Sequence, residues 1–282
     1  MAVEILDTHQ HLIYPDRNSY AWTAGIPALA DQAFTYEDYS TAAAGCGITR
    51  TLFMEADADR WQDETAMVLA MADDPDTIID GVIANCRPED GEGFDAWLDT
   101  IADTRVVGLR RILHTEPDAL SQDDAFAANI RKLADRNLTF DLCFLARQLP
   151  IAIELAGRCD GVQLVLDHCG VPAIAAGAMD PWRAHISDLA AMPHVACKIS
   201  GVIAYCEQGA GTADTLRPWV EHCIESFGWD RIVWGGDWPV CNLNGDLGQW
   251  VAASRALVAA EDEANQRKLF HENAVRIYGI PG

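Results

Sequence analysis

The amino-acid sequence predicts an α/β fold, a single-domain (β/α)8 TIM barrel over residues 1–282, and three observations carry that expectation. Eight short apolar runs rich in β-branched residues recur along the chain. Stretches with helical spacing lie between and after them. No G-x-G-x-x-G or G-x-x-x-x-G-K-[ST] turn, the usual mark of a doubly wound nucleotide-binding sheet, is present. Strand then helix, eight times in 282 residues, is the arithmetic of such a barrel.

In chain order the strands are expected at EILDTH (4–9), TRTLFMEA (49–56), TIIDGVIAN (77–85), VVGLRRIL (106–113), LTFDLCFL (138–145), VQLVLDHC (162–169), HVACKIS (194–200) and RIVWGGD (231–237). They are mostly too short for core helices and suit buried parallel strands. The clearest helix is SQDDAFAANIRKLADRN. Ser121 is its expected N-cap, acids fill its first turn, Phe126, Ile130 and Leu133 make an apolar stripe, and Asn137 can stop it. QLPIAIELAGRC, DPWRAHISDLAAM and DTLRPWVEHCIESFG read similarly, and LGQWVAASRALVAAE and EDEANQRKLFHENAVRIYG follow the last strand. The longest irregular stretch, residues 12–35, is aromatic and proline-bearing, as a substrate lid or wall would be.

Composition narrows the function classes. Half the residues are hydrophobic, 22% are charged, and 43 carboxylates oppose 20 Lys and Arg for a formal charge of −23. That field repels a polyanion, so nucleic acid is excluded as a partner. No stretch nears the roughly 20 apolar residues of a membrane span, and MAVEILDT has no signal-peptide character, so a cytoplasmic protein without membrane partners is expected. Nine cysteines without a C-x-x-C pair read as buried free thiols of a reducing compartment.

Catalytic groups of such barrels sit at the C-terminal ends of the strands. Strand one ends in His9 and His11, whose i, i+2 spacing projects both rings to one face. Strand two ends at Glu55, strand four carries Arg110 and Arg111 and finishes at His114, strand six ends in Asp167-His168, strand seven holds Lys198 and Ser200, and strand eight ends in Asp237. His9, His11, His168 and Asp237 therefore converge on one rim. Alternation sends only one of the adjoining arginines inward, where it would clamp a substrate carboxylate or hydroxyl, or else form an ion pair within the fold. Lys198 is equally suited to neutralising carboxylates at the barrel's base. Tyr20 and Trp22 either stack on a substrate face or anchor their loop.

DTHQH on strand one, LDHCG on strand six, KISG on strand seven, WGGDWPV on strand eight and the terminal NAVRIYGI resemble the amidohydrolase superfamily, and within it the lactonase branch of sugar-acid and 2-pyrone-4,6-dicarboxylate lactonases. Binuclear members add a bridging carboxylate or carboxylated lysine and a further strand-five histidine. Strand five here, FDLCFLARQL, has neither, so the resemblance implies at most one divalent metal. Zinc suits two imidazoles, a carboxylate and an open position, and the branch also contains members that work without metal.

The expected activity is hydrolysis of a small lactone, foremost a sugar-acid lactone. His9, His11 and Asp237 would hold the metal, and Asp237 would take the proton of the attacking water. His168 would polarise the carbonyl or orient the base, with Asp167 fixing its tautomer. Arg110, Arg111, His114, Tyr20 and Trp22 are the substrate-binding candidates. A pyrone or muconolactone hydrolase and a nonoxidative decarboxylase are the alternatives, and self-association into a homo-oligomer stays open.

Overall fold

The computed structural model describes residues 3–282. Eight parallel strands follow one another round the sheet in chain order: β1 (Ile5–Gln10), β2 (Ile48–Met54), β3 (Ile79–Asn85), β4 (Val106–Ile112), β5 (Thr139–Cys143), β6 (Leu164–Leu166), β7 (Val195–Ile199) and β8 (Ile232–Trp234). A single bridge, Gln10 to Trp238, closes β8 onto β1. Side chains and loop backbone complete that seam: Thr8 donates to the Trp234 carbonyl at 2.7 Å, and the Gly236 amide donates to Asp7 Oδ1 at 2.7 Å. The (β/α)8 barrel expected from the sequence is the fold.

The helices are α1 (Tyr36–Ala44), α2 (Trp61–Ala72), α3 (Gly91–Thr100), α4 (Asp124–Arg131), α5 (Leu149–Arg158), α6 (Trp182–Ala190), α7 (Ala213–Phe227), α8 (Leu247–Leu257), α9 (Glu263–Arg267) and α10 (Asn273–Tyr278). Short polar residues start many of them. Thr35 and Asp38 form a reciprocal capping box on α1, and Asp90, Asp123, Thr212, Asp246 and Asp262 accept amide hydrogen bonds at their helix starts. The N-cap of α4 is Asp123 and not Ser121, because the chain first makes a 3-10 turn over Asp118–Gln122 that buries Ser121. Asn137 ends that region in the left-handed conformation, φ 53°.

Two of the apolar clusters build the barrel. The larger lies between sheet and helices. The smaller fills the barrel's interior with Leu6, Leu52, Met54, Ile83, Val165, Ala196 and Val233, closed below by Ile277, Tyr278 and Ile280 of the C-terminal segment. With that end plugged, the opposite mouth is the one left for chemistry. Among the described residues no helix is long and apolar enough to cross a membrane. All nine cysteines are free and, except Cys46, buried.

Strands six and eight are shorter than the apolar runs suggest. The chain leaves the sheet after Leu166 and Trp234, and His168 and Asp237 then take left-handed conformations at φ 54° and 56°. These turns swing both side chains over the barrel mouth. The 12–35 segment is a pinned wall. Ile13 and Phe34 pair across its base, Ala21–Gly25 form a 3-10 turn, and Trp22 Nε1 donates to the Ala56 carbonyl at 2.7 Å.

Candidate active site

His9 stands on β1 and His11 just beyond it, and their Nε2 atoms meet at 3.2 Å. Asp237 Oδ1 lies 3.6 Å from His9 Nε2 and 3.5 Å from His11 Nε2. Its Oδ2 is buried without a hydrogen-bond partner among the described residues. Backbone bonds fix these groups: the Asp237 amide donates to the His9 carbonyl at 2.6 Å, and the His11 amide to the Trp238 carbonyl at 2.7 Å. Trp238 is a buried wedge against Phe34 and Tyr39. Gly201 is required beneath: at φ 66° a side chain there would run into the Asp237 carboxylate and His168 Nδ1.

His168 Nδ1 is 3.0 Å from Ser200 Oγ and 3.8 Å from Asp237 Oδ2. Ser200, and not Asp167, holds the imidazole, because the left-handed turn carries His168 away from its sequence neighbour. Asp167 instead points to His9 Nδ1 at 3.5 Å, Lys198 Nζ at 3.1 Å and Arg110 Nη1 at 3.2 Å. Burial disfavours the Asp167 carboxylate, yet Lys198 and His9 hold it well below the usual range. Burial pushes His9 well below the ordinary imidazole range, leaving a neutral ring at pH 7. Behind it, Asp7 accepts from the amides of His9 and Gly236 and from Tyr39 Oη, and burial raises its pKa to about 6.

Beneath the rim lies a charged layer. Arg110 donates from Nε to Glu55 Oε1 and from Nη2 to the Glu55 carbonyl, both at 2.6 Å, and Asn85 donates to Glu55 Oε2 at 2.6 Å. Lys198 pairs with Asp141 and Asp167, and Tyr278 Oη donates to Asp141 at 3.1 Å. Burial raises Asp141 to about 7, opposed by Lys198.

A cavity of about 250 Å3 opens above Asp237, walled by Trp22, Ile26, Ile112, Leu145, Val171 and Val240. His11, Arg110, His114, His168 and Asp237 line it too. Two expected substrate contacts need correction. Arg111 does not line the cavity: strand alternation turns it outward to Glu89 and Glu116, both at 3.0 Å. Tyr20 is buried in a small cluster with Ile13, Ala56 and Ala58 and anchors its loop. His114 sits 3.2 Å from Cys143 Sγ, and burial, aided by the Arg110 charge, lowers its pKa to about 4.

Asp57 and Tyr205 join the site without a sequence signal that points to them. Ser200 was legible as a strand-end hydroxyl. Asp57 and Tyr205 lie on loops, where no periodicity aims a side chain, and both line the cavity.

The donors are spaced for one divalent ion, with Arg110 Nη1 3.3 Å from the His9 Nε2 that would bind it. His9 Nε2, His11 Nε2 and Asp237 Oδ1 stand 3.2 to 3.6 Å apart, close to the roughly 3.0–3.5 Å separating neighbouring ligands of a zinc-sized ion. His9, His168 and Asp237 also offer ligand atoms within 4.8 Å of one another. The orphaned Asp237 Oδ2 leaves acceptor capacity unused. A second ion finds no such set on β5, whose Asp141 is taken by Lys198 and Tyr278.

The chain matches the amidohydrolase family model over residues 6–280. It is 30% identical to an L-fucono-1,5-lactonase of Burkholderia multivorans, over 98% of this chain and 96% of that protein. It is 29% identical to a 4-sulfomuconolactone hydrolase of Rhizobium radiobacter over 50% of this chain and 48% of that protein. A crystal structure of a zinc-bound amidohydrolase from Burkholderia multivorans superposes with a TM-score of 0.90 at 27% identity, over 99% of this chain and 100% of that one. On the barrel, the rim of histidines with its aspartate, and a family match spanning nearly the whole sequence, the chain belongs to the amidohydrolase family.

Proposed function

We propose that the chain hydrolyses a small neutral lactone, foremost a sugar-acid lactone. The observation that carries this is Asp237: a buried carboxylate with one oxygen beside two imidazoles and the other without a hydrogen bond among the described residues, facing a cavity of about 250 Å3. The nearly full-length similarity to an L-fucono-1,5-lactonase supports the substrate class. Charge supports a neutral substrate. Arg110 is the one cationic side chain of the wall among the described residues, and Glu55 and Asp167 already engage its guanidinium. Asp57 and Asp237 add negative charge to the wall. A pyrone dicarboxylate or a muconolactone would bring carboxylate charge beyond what the one metal position takes, to a wall whose Arg110 is already paired.

Water attacks the lactone carbonyl carbon while its proton passes to Asp237. The ring C–O bond then breaks and the proton passes on to the departing alkoxide, giving a hydroxy acid. Ser200 engages His168 Nδ1, leaving Nε2 as the nitrogen for the carbonyl oxygen as charge develops there. His9, His11 and Asp237 would hold one divalent ion, zinc by its donor set, which when bound supplies Lewis acidity and lowers the pKa of water.

A pH-indicator assay over a panel of neutral and carboxylate-bearing lactones tests this reading, before and after chelation and with zinc restored. Turnover of neutral lactones, lost on chelation and recovered with zinc, is the expected result. Turnover confined to carboxylated lactones would overturn the charge argument, and full activity after chelation would remove the metal.

A further inference from the structure

Among the described residues, Asp57 is the one carboxylate of the cavity wall that neither the charged layer nor the proposed hydrolysis uses. It lines the cavity half-buried, and its carboxylate makes no hydrogen bond or ion pair among the described residues. Its backbone, by contrast, is fixed from several sides. The Asp57 amide donates to Glu55 Oε2 at 2.8 Å, and Glu55 is itself locked by Arg110 and Asn85. The preceding Ala56 donates its amide to Glu64 Oε2 at 3.1 Å and accepts from Trp22 Nε1 at 2.7 Å. Asp57 itself is held left-handed at φ 50°, a conformation that a residue with a side chain keeps only when its surroundings impose it. Burial raises the Asp57 pKa and the Glu55 carboxylate adds to this, while Arg87, Arg111 and Arg110 oppose it, none within ion-pair distance.

We infer that Asp57 and Trp22 form the hydroxyl-reading wall of the site, so that the substrate is a lactone carrying ring hydroxyls. The inference rests on the lactonase reading above. A carboxylate accepts hydrogen bonds from two neighbouring hydroxyls at once, and an indole beside it covers the C–H face of the same ring. The shared Ala56 carbonyl and the Asp57 backbone turn tie the two side chains into one unit. The rest of the wall joins Ile112, Leu145, Val171 and Val240 to the neutral groups of His114, Thr115 and Tyr205, so Asp57 is the carboxylate there, besides Asp237, that can take two neighbouring hydroxyls at once. Asp57 binds and orients substrate, and proton transfer stays with Asp237.

The test compares wild type, Asp57→Asn and Asp57→Ala on two substrates of one ring size, a polyhydroxylated sugar-acid 1,5-lactone and δ-valerolactone. For the hydroxylated lactone, Asp57→Ala should lower kcat/KM by about 10- to 100-fold, chiefly through KM, with Asp57→Asn intermediate because it keeps an acceptor oxygen. On δ-valerolactone the loss should stay within about threefold, since no hydroxyl is there to read. Equal losses on both substrates, carried by kcat, would make Asp57 part of the reaction and overturn its recognition role. Binding of the matching sugar 1,5-lactam, read by Trp fluorescence, needs no turnover. Its loss in Asp57→Ala supports the inference even if no lactone is hydrolysed, which would sink only the lactonase reading. Absence of lactam binding by wild type, or binding unchanged in Asp57→Ala, would overturn the inference.

Discussion

Two polar layers are stacked inside one barrel, and their hydrogen-bonding states are opposite. In the lower layer every charge has an opposite charge close by: Arg110 meets Glu55 at 2.6 Å and Asp167 at 3.2 Å, and Lys198 meets Asp167 at 3.1 Å and contacts Asp141. In the upper layer the imidazoles of His9 and His11 stand 3.5 to 3.6 Å from Asp237 Oδ1, and Asp237 Oδ2 makes no hydrogen bond among the described residues. Buried charge is tolerated where it is paired, and unmet capacity marks where a ligand must complete the set. The lower layer holds the upper one still: Asp167 reaches the far nitrogen of His9, whose near nitrogen faces Asp237.

The largest effect is expected in the upper layer. Asp237→Asn keeps the shape and removes the proton acceptor, so turnover should fall by about 10²- to 10⁴-fold with KM changed far less. The unfolding midpoint in urea should stay near wild type. A collapse of stability alongside activity would erase the distinction between the layers.

Lys198→Met reverses the pattern. It leaves Asp141 and Asp167 buried without their ammonium, and breaking such a pair costs about 3–5 kcal/mol. Urea unfolding measures it, and a loss below about 1 kcal/mol would mean that the layer is not held by its charges. Arg111→Met is the contrast from the neighbouring residue of β4. Its partners Glu89 and Glu116 are partly solvated, so about 1 kcal/mol or less is expected, with kcat/KM within about twofold of wild type. A KM raised tenfold would return Arg111 to the substrate site.

The smallest effect concerns pH. His114 is held near 4 in the fold, below its ordinary value of 6.5, so the unfolded chain binds the extra proton between those two values. Its neutral form therefore supports the fold fully above about pH 6.5, and that support is lost as pH falls toward 4. His114→Asn should lose less stability than wild type between pH 7 and 4.5. Parallel pH profiles of the two proteins would refute the depressed value.

Much of this was legible in the sequence, and for particular reasons. Apolar runs report strands because parallel strands in a barrel are buried on both faces, and His9, His11, His168 and Asp237 were placed by where those runs end. Strand alternation also says that one of Arg110 and Arg111 turns inward, without saying which. Ser121 differs because a 3-10 turn precedes the helix and takes Ser121 into it, so that Asp123 caps α4 instead. Tyr20 misled because an aromatic residue on a loop has the same composition whether it faces a substrate or its own loop.

By itself, the sequence determined the eightfold alternation, the family, the rim residues and the lack of a second metal set on strand five, since each depends on residue type at a chain position. Tertiary structure decided the partners: Asp167 with His9 and Lys198 in place of His168, Ser200 with His168, Arg110 with Glu55 and Asp167, and Asp57 with none for its carboxylate among the described residues. Those choices turn on a few ångströms between strands far apart in the chain, and on left-handed turns at His168 and Asp237 that rotate a side chain off the period of its strand. Periodicity encodes which face a residue takes, and only packing fixes what it meets there.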